Sequence, residues 1–446
     1  MNKLNIVYLH AHDVGRYIQP YGYDVITPNL QSLAESGMLF RQAFCANPTC
    51  SPSRACLLTG QYAHENGMLG LAHRGFRLND YQRTLPNFLR QHGWKTALSG
   101  IQHIAHSKYV SLSELGYDEF LDQAIEDGAS GPQRIYSTGS EGVSQAAADF
   151  LARRHDRPFF LDVGFFPPHR MEDGSFPKEF EAPNPAYVRP PANIPDTDVT
   201  RQDFANFMAS AQTFDAHLGK VIDAIDRNGL AQNTLIIATT DHGIPFPGMK
   251  CRLTDHGIGV MLILRGPGGF DSGKCSDSMV THLDIFPTIC QALDLKCPAY
   301  VSGEPLQLLT TEQDATLHSQ IFAEVNVHAA YEPMRSVRTH RWKYIRHFEP
   351  RDHLILANCD NSPSKDYLFQ SDWHTNAPFA EELYDLILDP MESTNLATES
   401  CCESTLNELR ARVDKWMRDT NDPLLHGAID LSDKIVTAFD AYSPAD

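Results

Sequence analysis

Apolar positions follow two periods along most of the chain. Compact apolar or β-branched runs at 5–9, 40–44, 96–100, 158–165, 234–239 and 262–265 predict buried strands. Between them the apolar residues recur at helical spacing. One such segment starts at Thr27-Pro28, one covers 84–92 and stops at Gly93, and one covers 205–228 and ends at Gly229. Strands alternating with helices predict an α/β fold built on a mostly parallel sheet between helices. Near residue 325 the pattern changes. Segments 334–338 and 342–345 read as the strands of an antiparallel hairpin, 382–385 leads to the turn Asp389-Pro390, and 406–417 is an amphipathic helix. The expected organisation is a large domain over 1–325 and a smaller C-terminal subdomain over 326–446. Residues 171–200, rich in proline and charge, predict a long surface excursion.

In open α/β sheets, ligands bind beyond the carboxyl ends of the strands, so the residues that follow each run carry the chemistry. The first run leads into His10-Ala11-His12-Asp13-Val14-Gly15. Strand alternation puts His10 and His12 on one side and Asp13 on the other, unless the strand ends there. His10 reads as a core histidine or one supporting the site. The run at 234–239 leads to Asp241-His242-Gly243. By itself that triplet is equally an Asx turn.

The stretch from Cys50 to Gly60, Cys-Ser-Pro-Ser-Arg-Ala-Cys-Leu-Leu-Thr-Gly, stands out. Pro52 fixes its own φ and keeps Ser51 extended, Ser53 is a good N-cap, and 55–58 are helix formers. The segment reads as a turn delivering Cys50 to a helix N-terminus, where orphan N–H groups suit an anion. Arg54 adds a planar cationic fork for a tetrahedral oxyanion. A buried cysteine before an ordinary capped helix would read the same way locally.

Composition narrows the classes. The formal charge of −19 over 446 residues argues against a general nucleic-acid binder, and an anionic substrate needs a local basic pocket. The ten cysteines form no C-x-x-C pair or zinc-like repeat and read as mostly reduced thiols. The opening Met-Asn-Lys-Leu-Asn-Ile-Val is too short for a signal h-region, and no run reaches the length of a membrane span. A cytoplasmic protein is the expectation, or a periplasmic or secreted one if a leader was removed.

Taken in order, these motifs resemble the type I, formylglycine-dependent sulfatases of the alkaline phosphatase superfamily, from residue 5 to about residue 422. The wording is nearest to the N-sulfoglucosamine sulfohydrolase branch at Asn66-Gly67-Met68, Pro168-His169-Arg170, Gly243-Ile244-Pro245-Phe246-Pro247, Pro333-Met334-Arg335-Ser336-Val337, Glu382-Leu383-Tyr384-Asp385 and Asn395-Leu396-Ala397. The resemblance implies an alkaline-phosphatase-like α/β domain with a mixed, mostly parallel sheet and a small C-terminal antiparallel sheet with a helix. It implies a hydrolase that releases sulfate from a sulfated sugar, glycosaminoglycan-type sulfates included, as ester or N-sulfate. It also implies conversion of Cys50 to formylglycine by a separate maturation enzyme.

The family's metal site falls on His12, Asp13, Asp241, His242 and the side chain at 50. Its catalytic groups fall on Cys50, Arg54, His103, Lys250 as pocket cation, and His169 near the leaving atom. His64 reads as structural or at the substrate rim, and 281–288 as a packing segment. Two positions depart from the family: His12 stands where it has a first aspartate, and Ile101 where it has a lysine. The family cation is calcium, but an imidazole at 12 suits manganese or zinc. His106 or Lys108 could replace the missing positive charge. Two rival readings stay open. One is a phosphonate monoester or phosphodiester hydrolase of the same superfamily, and the other is a catalytically silent glycan-binding relative.

Overall fold

The computed structural model describes residues 4–122, 139–271, 273–312, 315–349 and 351–445; the opening Met1 to Lys3 lies outside the described residues. Eight strands form one sheet: β1 (Asn5–Ala11), β2 (Met38–Phe44), β3 (Lys95–Gly100), β4 (Glu119–Phe120), β5 (Phe159–Gly164), β6 (Thr234–Thr240), β7 (Leu262–Arg265) and β8 (Lys274–Thr281). Their order is β4-β3-β5-β1-β6-β7-β2-β8. Every pairing is parallel except the two made by β7. The sheet is therefore mixed and mostly parallel, as expected.

β1, β5 and β6 are buried along their whole length because helices cover both faces. Alternation sorts their side chains. Ile6, Tyr8 and Phe160 join Leu57, Phe88 and Phe286 on one face, while Val7, Leu9, Leu161 and Val163 join Phe150, Phe214 and Leu218 on the other. The long helix Asp198–Arg227 on the second face starts earlier than its apolar spacing predicts, because Thr197 accepts from the Thr200 N–H and caps it. The segment before it is more than a surface excursion. Phe176, Val188 and Ile194 are buried against Phe204, Phe207 and Phe246. These anchors are spaced without period between prolines, so no pattern marks them.

A second sheet, β9 (Gln320–Val327), β10 (Tyr331–Thr339), β11 (Trp342–His347) and β12 (Glu381–Asp385), has the order β12-β11-β10-β9 and is antiparallel throughout. Helix Glu403–Asp419 covers one face, with Leu406, Leu409, Val413 and Trp416 packed on Val337, Tyr344 and Leu383. The other face of β9 joins the main core through Ala323, Val325 and Val327. A buried polar seam runs beside it. His64 Nδ1 lies 2.9 Å from Glu324 Oε1, Arg335 Nη2 lies 3.5 Å from Glu324 Oε2, and Arg335 Nε donates to Asp422 Oδ2 at 2.5 Å. His64 thus belongs to the junction between the sheets. The ten cysteines are free thiols. No described helix is long and apolar enough to cross a membrane.

Candidate active site

β1 ends at Ala11, and Asp13 takes φ 56°, a left-handed conformation that aspartate tolerates better than most residues. The turn is fixed by three bonds to the end of β6. Asp13 N donates to Asp241 Oδ1 at 2.9 Å, Val14 N to Thr240 Oγ1 at 3.0 Å, and Gly15 N to the His242 carbonyl at 3.0 Å. The chain reversal brings His12 and Asp13 to the same place, which continued alternation would have forbidden.

The helix carrying Cys50 runs Cys50–Thr59 with Thr49 at its N-cap, and every one of its residues is buried. This corrects two local expectations: Ser53 is not the cap and Ser51 is not extended. Pro52 sits in the first turn, where a missing N–H leaves nothing unsatisfied. Asn47 Oδ1 accepts from Thr49 N at 3.1 Å and from its hydroxyl at 2.6 Å, which fixes the helix start. The Ser53 hydroxyl is used elsewhere and donates to the Asp241 carbonyl at 2.5 Å.

Arg54 reaches across the sheet edge. Its Nη2 donates to the Ala11 carbonyl at 3.1 Å and to Asp241 Oδ2 at 3.2 Å, and its Nη1 meets His10 Nδ1. His10 Nε2 is 2.7 Å from Asp162 Oδ1. A carboxylate can only accept, so His10 carries its proton on Nε2 and offers the Nδ1 lone pair to Arg54. His10 therefore orients the arginine.

The remaining groups close around Cys50. His12 Nδ1 is 2.9 Å from Asp241 Oδ2, and His242 Nε2 is 3.3 Å from both Asp13 Oδ1 and Cys50 Sγ. Potential ligand atoms of His12, Asp13, Cys50 and Asp241 all lie within 4.8 Å of one another. His242 Nδ1 donates to the Gly243 carbonyl at 3.0 Å, which leaves a lone pair on Nε2 facing the cluster. Asp13 Oδ1 is buried and makes no hydrogen bond, and His12 Nδ1, also buried, meets Asp241 Oδ2 at 2.9 Å without hydrogen-bond alignment. Burial pushes the Asp13 carboxyl well above the usual carboxylate range. Asp241 is also buried, but the neighbouring His242, Arg54 and His12 hold it well below that range. Two enclosed carboxylates, two imidazole lone pairs and unused donor atoms fit one divalent cation.

Lys250 Nζ sits 3.2 Å from Asp13 Oδ2 and 3.0 Å from Asp360 Oδ2. Burial opposes its charge, but the two carboxylates outweigh it and keep the ammonium protonated. His169 Nε2 is 4.0 Å from Asp13 Oδ2, and its Nδ1 donates to the Arg170 carbonyl at 2.6 Å. Burial, with Lys250 beside it, lowers His169 to about 4. His103 has φ 55°, and its ring lies 5.4 Å from that of His12 and parallel to His73 at 6.0 Å. Burial, with His12 next, pushes it well below the usual histidine range. Burial also raises the Cys50 thiol far above its ordinary value, so the unmodified side chain is a poor nucleophile.

Structure thus gathers Cys50, Arg54, His103, His169, Lys250, His12, Asp13, Asp241 and His242 into one site. It does not bring in the two suggested replacement cations. Lys108 is exposed with its ammonium over the Tyr109 ring at 5.2 Å, and His106 accepts within its own loop, from Tyr109 N and Val110 N at its carbonyl and from Lys108 N at Nδ1. Ile101 is buried, 3% exposed. Three residues join that sequence reading missed. These are Asp360 and His73, which no motif marks, and His282, which donates or accepts at Thr239 Oγ1 over 3.1 Å behind Asp241.

A model of the family described as "Sulfatase" matches residues 4–295. The chain belongs to the sulfatase family. A second model, "N-sulphoglucosamine sulphohydrolase, C-terminal", matches residues 250–372 of this sulfatase. The human N-sulphoglucosamine sulphohydrolase is 29% identical over 473 aligned positions, covering 94% of this chain and 91% of the relative. Among solved structures, a 2-O GAG sulfatase superposes with TM-score 0.74 at 20% identity, covering 96% of the sulfatase and 95% of that chain. The phosphonate monoester hydrolase of Agrobacterium radiobacter superposes with TM-score 0.70 at 19% identity, covering 95% and 97%. At such identities the superpositions speak for the fold, that of the alkaline phosphatase superfamily, and the sulfatase assignment rests on the family model.

Proposed function

We propose that this sulfatase releases inorganic sulfate from a sulfated sugar, carried as ester or N-sulfate, with residue 50 acting as formylglycine beside one divalent cation. The observation that carries the reading is the position of Cys50. It lies at the start of a fully buried helix, with His242 Nε2 3.3 Å from its Sγ and the potential ligand atoms of His12, Asp13 and Asp241 grouped around it. An aldehyde hydrate at residue 50 supplies two hydroxyls on one carbon, one to attack sulfur and one whose deprotonation expels sulfate. The cation, when bound by His12, Asp13, Asp241, His242 and residue 50, lowers the pKa of a hydroxyl and neutralises sulfate charge. Calcium is the family's cation; the nitrogens of His12 and His242 favour manganese or zinc.

The chain's own groups do the rest. Arg54, held by His10 and Asp241, and Lys250 face the sulfate oxygens and stabilise the charge that grows there. His103 takes the proton of the second hydroxyl. His169 serves the leaving atom. Its Nδ1 proton is committed to the Arg170 carbonyl, so it donates from Nε2 only after acquiring a second proton, which the bound anion favours. The likeness of residues 250–372 to the C-terminal model of N-sulphoglucosamine sulphohydrolase, and of 94% of the chain to the human enzyme, supports an amino-sugar sulfate. Residues 1–325 would form the catalytic domain and 326–446 the C-terminal subdomain, with the boundary moved back to the start of β9 at Gln320 so that the strand is not divided. One observation keeps a phosphonate monoester hydrolase as the second reading, the pairing of a histidine with Asp241 on this fold.

The test begins with peptide mass spectrometry across Cys50 after co-expression with a formylglycine-generating enzyme, followed by turnover of N-sulfoglucosamine, glucosamine 6-sulfate and a phosphonate monoester. Aldehyde at residue 50 with kcat/KM about 100-fold or more higher on a sulfated sugar supports the reading. A persistent thiol, or faster phosphonate cleavage, rejects it.

A further inference from the structure

The groups of the site divide sharply by exposure. The side chains of Asp13, Asp241 and His242 are 0% exposed and those of His12, Arg54 and Lys250 2%, whereas Asp360 is 13% and His169 24% exposed. Asp360 and His169 therefore stand at the mouth, where the non-sulfate part of a substrate must lie. Asp360 comes from the C-terminal part of the chain, just after the short turn Leu356–Asn358. Its backbone is firmly set. Asn358 Oδ1 accepts from Ala329 N at 3.0 Å and Ala330 N at 2.8 Å, Asn358 Nδ2 donates to Glu332 Oε2 at 2.9 Å, and Lys365 Nζ donates to the Cys359 carbonyl at 2.8 Å.

A carboxylate in this place is otherwise a disadvantage. It lies 3.0 Å from the ammonium of Lys250 and weakens the pull of that cation on an anionic group. Asp13 Oδ2 lies 3.2 Å from the same ammonium, so Lys250 stands between two carboxylates, of which Asp360 is the one that reaches the surface. Asp360 Oδ2 is enclosed and turned to the Lys250 ammonium, so the part of the carboxylate that stays exposed at the rim, away from Oδ2, is left for a donor from outside.

We propose that Asp360 is a specificity-determining residue that accepts a hydrogen bond from an N–H or O–H group of the sugar beside the scissile bond. This rests on the proposed sulfatase reaction at the same site. It makes the enzyme selective for sulfates and sulfamates of amino or hydroxylated sugars over sulfate esters that carry no donor near sulfur. Carboxylate-accepted bonds are charge-assisted, and their loss is felt about tenfold or more in affinity.

The decisive experiment compares matured wild type with Asp360→Asn on N-sulfoglucosamine, glucose 2-sulfate and 4-nitrophenyl sulfate. The ratio of kcat/KM between sugar and aryl substrate should fall about tenfold or more in the variant, with the change carried by KM. A fall for N-sulfoglucosamine alone assigns the donor as the N–H, and a fall for both sugars assigns a neighbouring hydroxyl. Equal losses on all three substrates would mean that Asp360 serves only to hold Lys250, and the proposal would be wrong. Calorimetric titration of glucosamine into both proteins separates this question from turnover: about tenfold weaker binding to Asp360→Asn supports the proposal even if no sulfate is released, and equal affinity overturns it. Absence of sulfate release from any substrate by aldehyde-bearing wild type would instead reject the proposed reaction.

Discussion

At residue 12 an imidazole occupies the place that the sulfatase motif gives to a carboxylate, and the neighbourhood has adapted to it. His12 Nδ1 lies 2.9 Å from Asp241 Oδ2, so the ring is drawn into the cluster rather than expelled from it. Nitrogen ligands favour a borderline cation over calcium, which prefers an all-oxygen shell. In metal-stripped protein, manganese should therefore raise the melting temperature more than calcium does, because a ligand stabilises in proportion to its affinity for the native state. His12→Asp should reverse that order, as read by thermal shift with each ion at equal concentration. An unchanged order would show that residue 12 does not choose the cation. The second departure acts differently: Ile101 is buried and offers no charge, which leaves Arg54 and Lys250 as the cations that the proposed reaction would use for the anion.

Elements position these residues through contacts that propensity does not encode. The loop bearing His169 is tied down by its neighbour Arg170. Arg170 forms a bidentate pair with Asp203 at 2.8 Å for each bond and donates to the carbonyls of Pro245 and Gly174 at 2.9 and 2.8 Å. The guanidinium also lies 4.1 Å from the ring centre of Phe176 and 4.7 Å from that of Phe246. Asp203 belongs to helix Asp198–Arg227 and also accepts from Ser364 of helix Pro363–Gln370 at 2.5 Å. One ion pair thus fastens three elements around the His169 side of the site. Asp203→Ala strands a buried cation and should lower stability by about 3–5 kcal/mol in urea unfolding. A loss below about 1 kcal/mol would place the pair with weak surface bridges. The helix at Cys50 makes the same point on a smaller scale. Its existence could be read from the sequence, but its start could not, because Ser53 is a good cap locally and is taken up by the Asp241 carbonyl only in the folded chain.

Across the whole molecule, the two sheets meet at the buried seam of His64, Glu324, Arg335 and Asp422. Burial disfavours charge there, but His64 and Arg335 outweigh it and hold Glu324 at about 2 instead of the ordinary 4.5. A lowered carboxyl contributes stability above its unfolded value and loses it as pH falls towards the folded one. His64 is shifted upward, since Glu324 outweighs burial, so its share is complete at low pH and fades as pH rises past its folded value. The seam is therefore strongest between these limits. The stability difference between wild type and Glu324→Gln should be about 3 kcal/mol on this account, and it should shrink as pH falls from 4.5 towards about 2. A difference that stays constant over that range would show that the seam is not held by charge. Chemical unfolding of both proteins across the acid range gives the answer.

How much could be read in advance follows from the range of each interaction. Strand runs, the Cys50 segment, Asp241-His242 and Pro168-His169-Arg170 are short, and each encodes a local backbone turn at a strand end, so sequence alone determined the family, the mixed α/β sheet and the nine residues gathered at the site. Alternation is informative only while a strand continues. It could not place His12 and Asp13 together, because that depends on β1 ending at Ala11 and on the left-handed turn at Asp13. Nor could it find the hydrogen-bond partner that makes His10 an orienting group for Arg54. Asp360 lies in a coil without periodicity or motif, and it meets Lys250 only because the antiparallel sheet packs against the larger one. Tertiary structure decided that contact, since the pairing of charges distant in sequence is fixed by how two independently patterned units share one core.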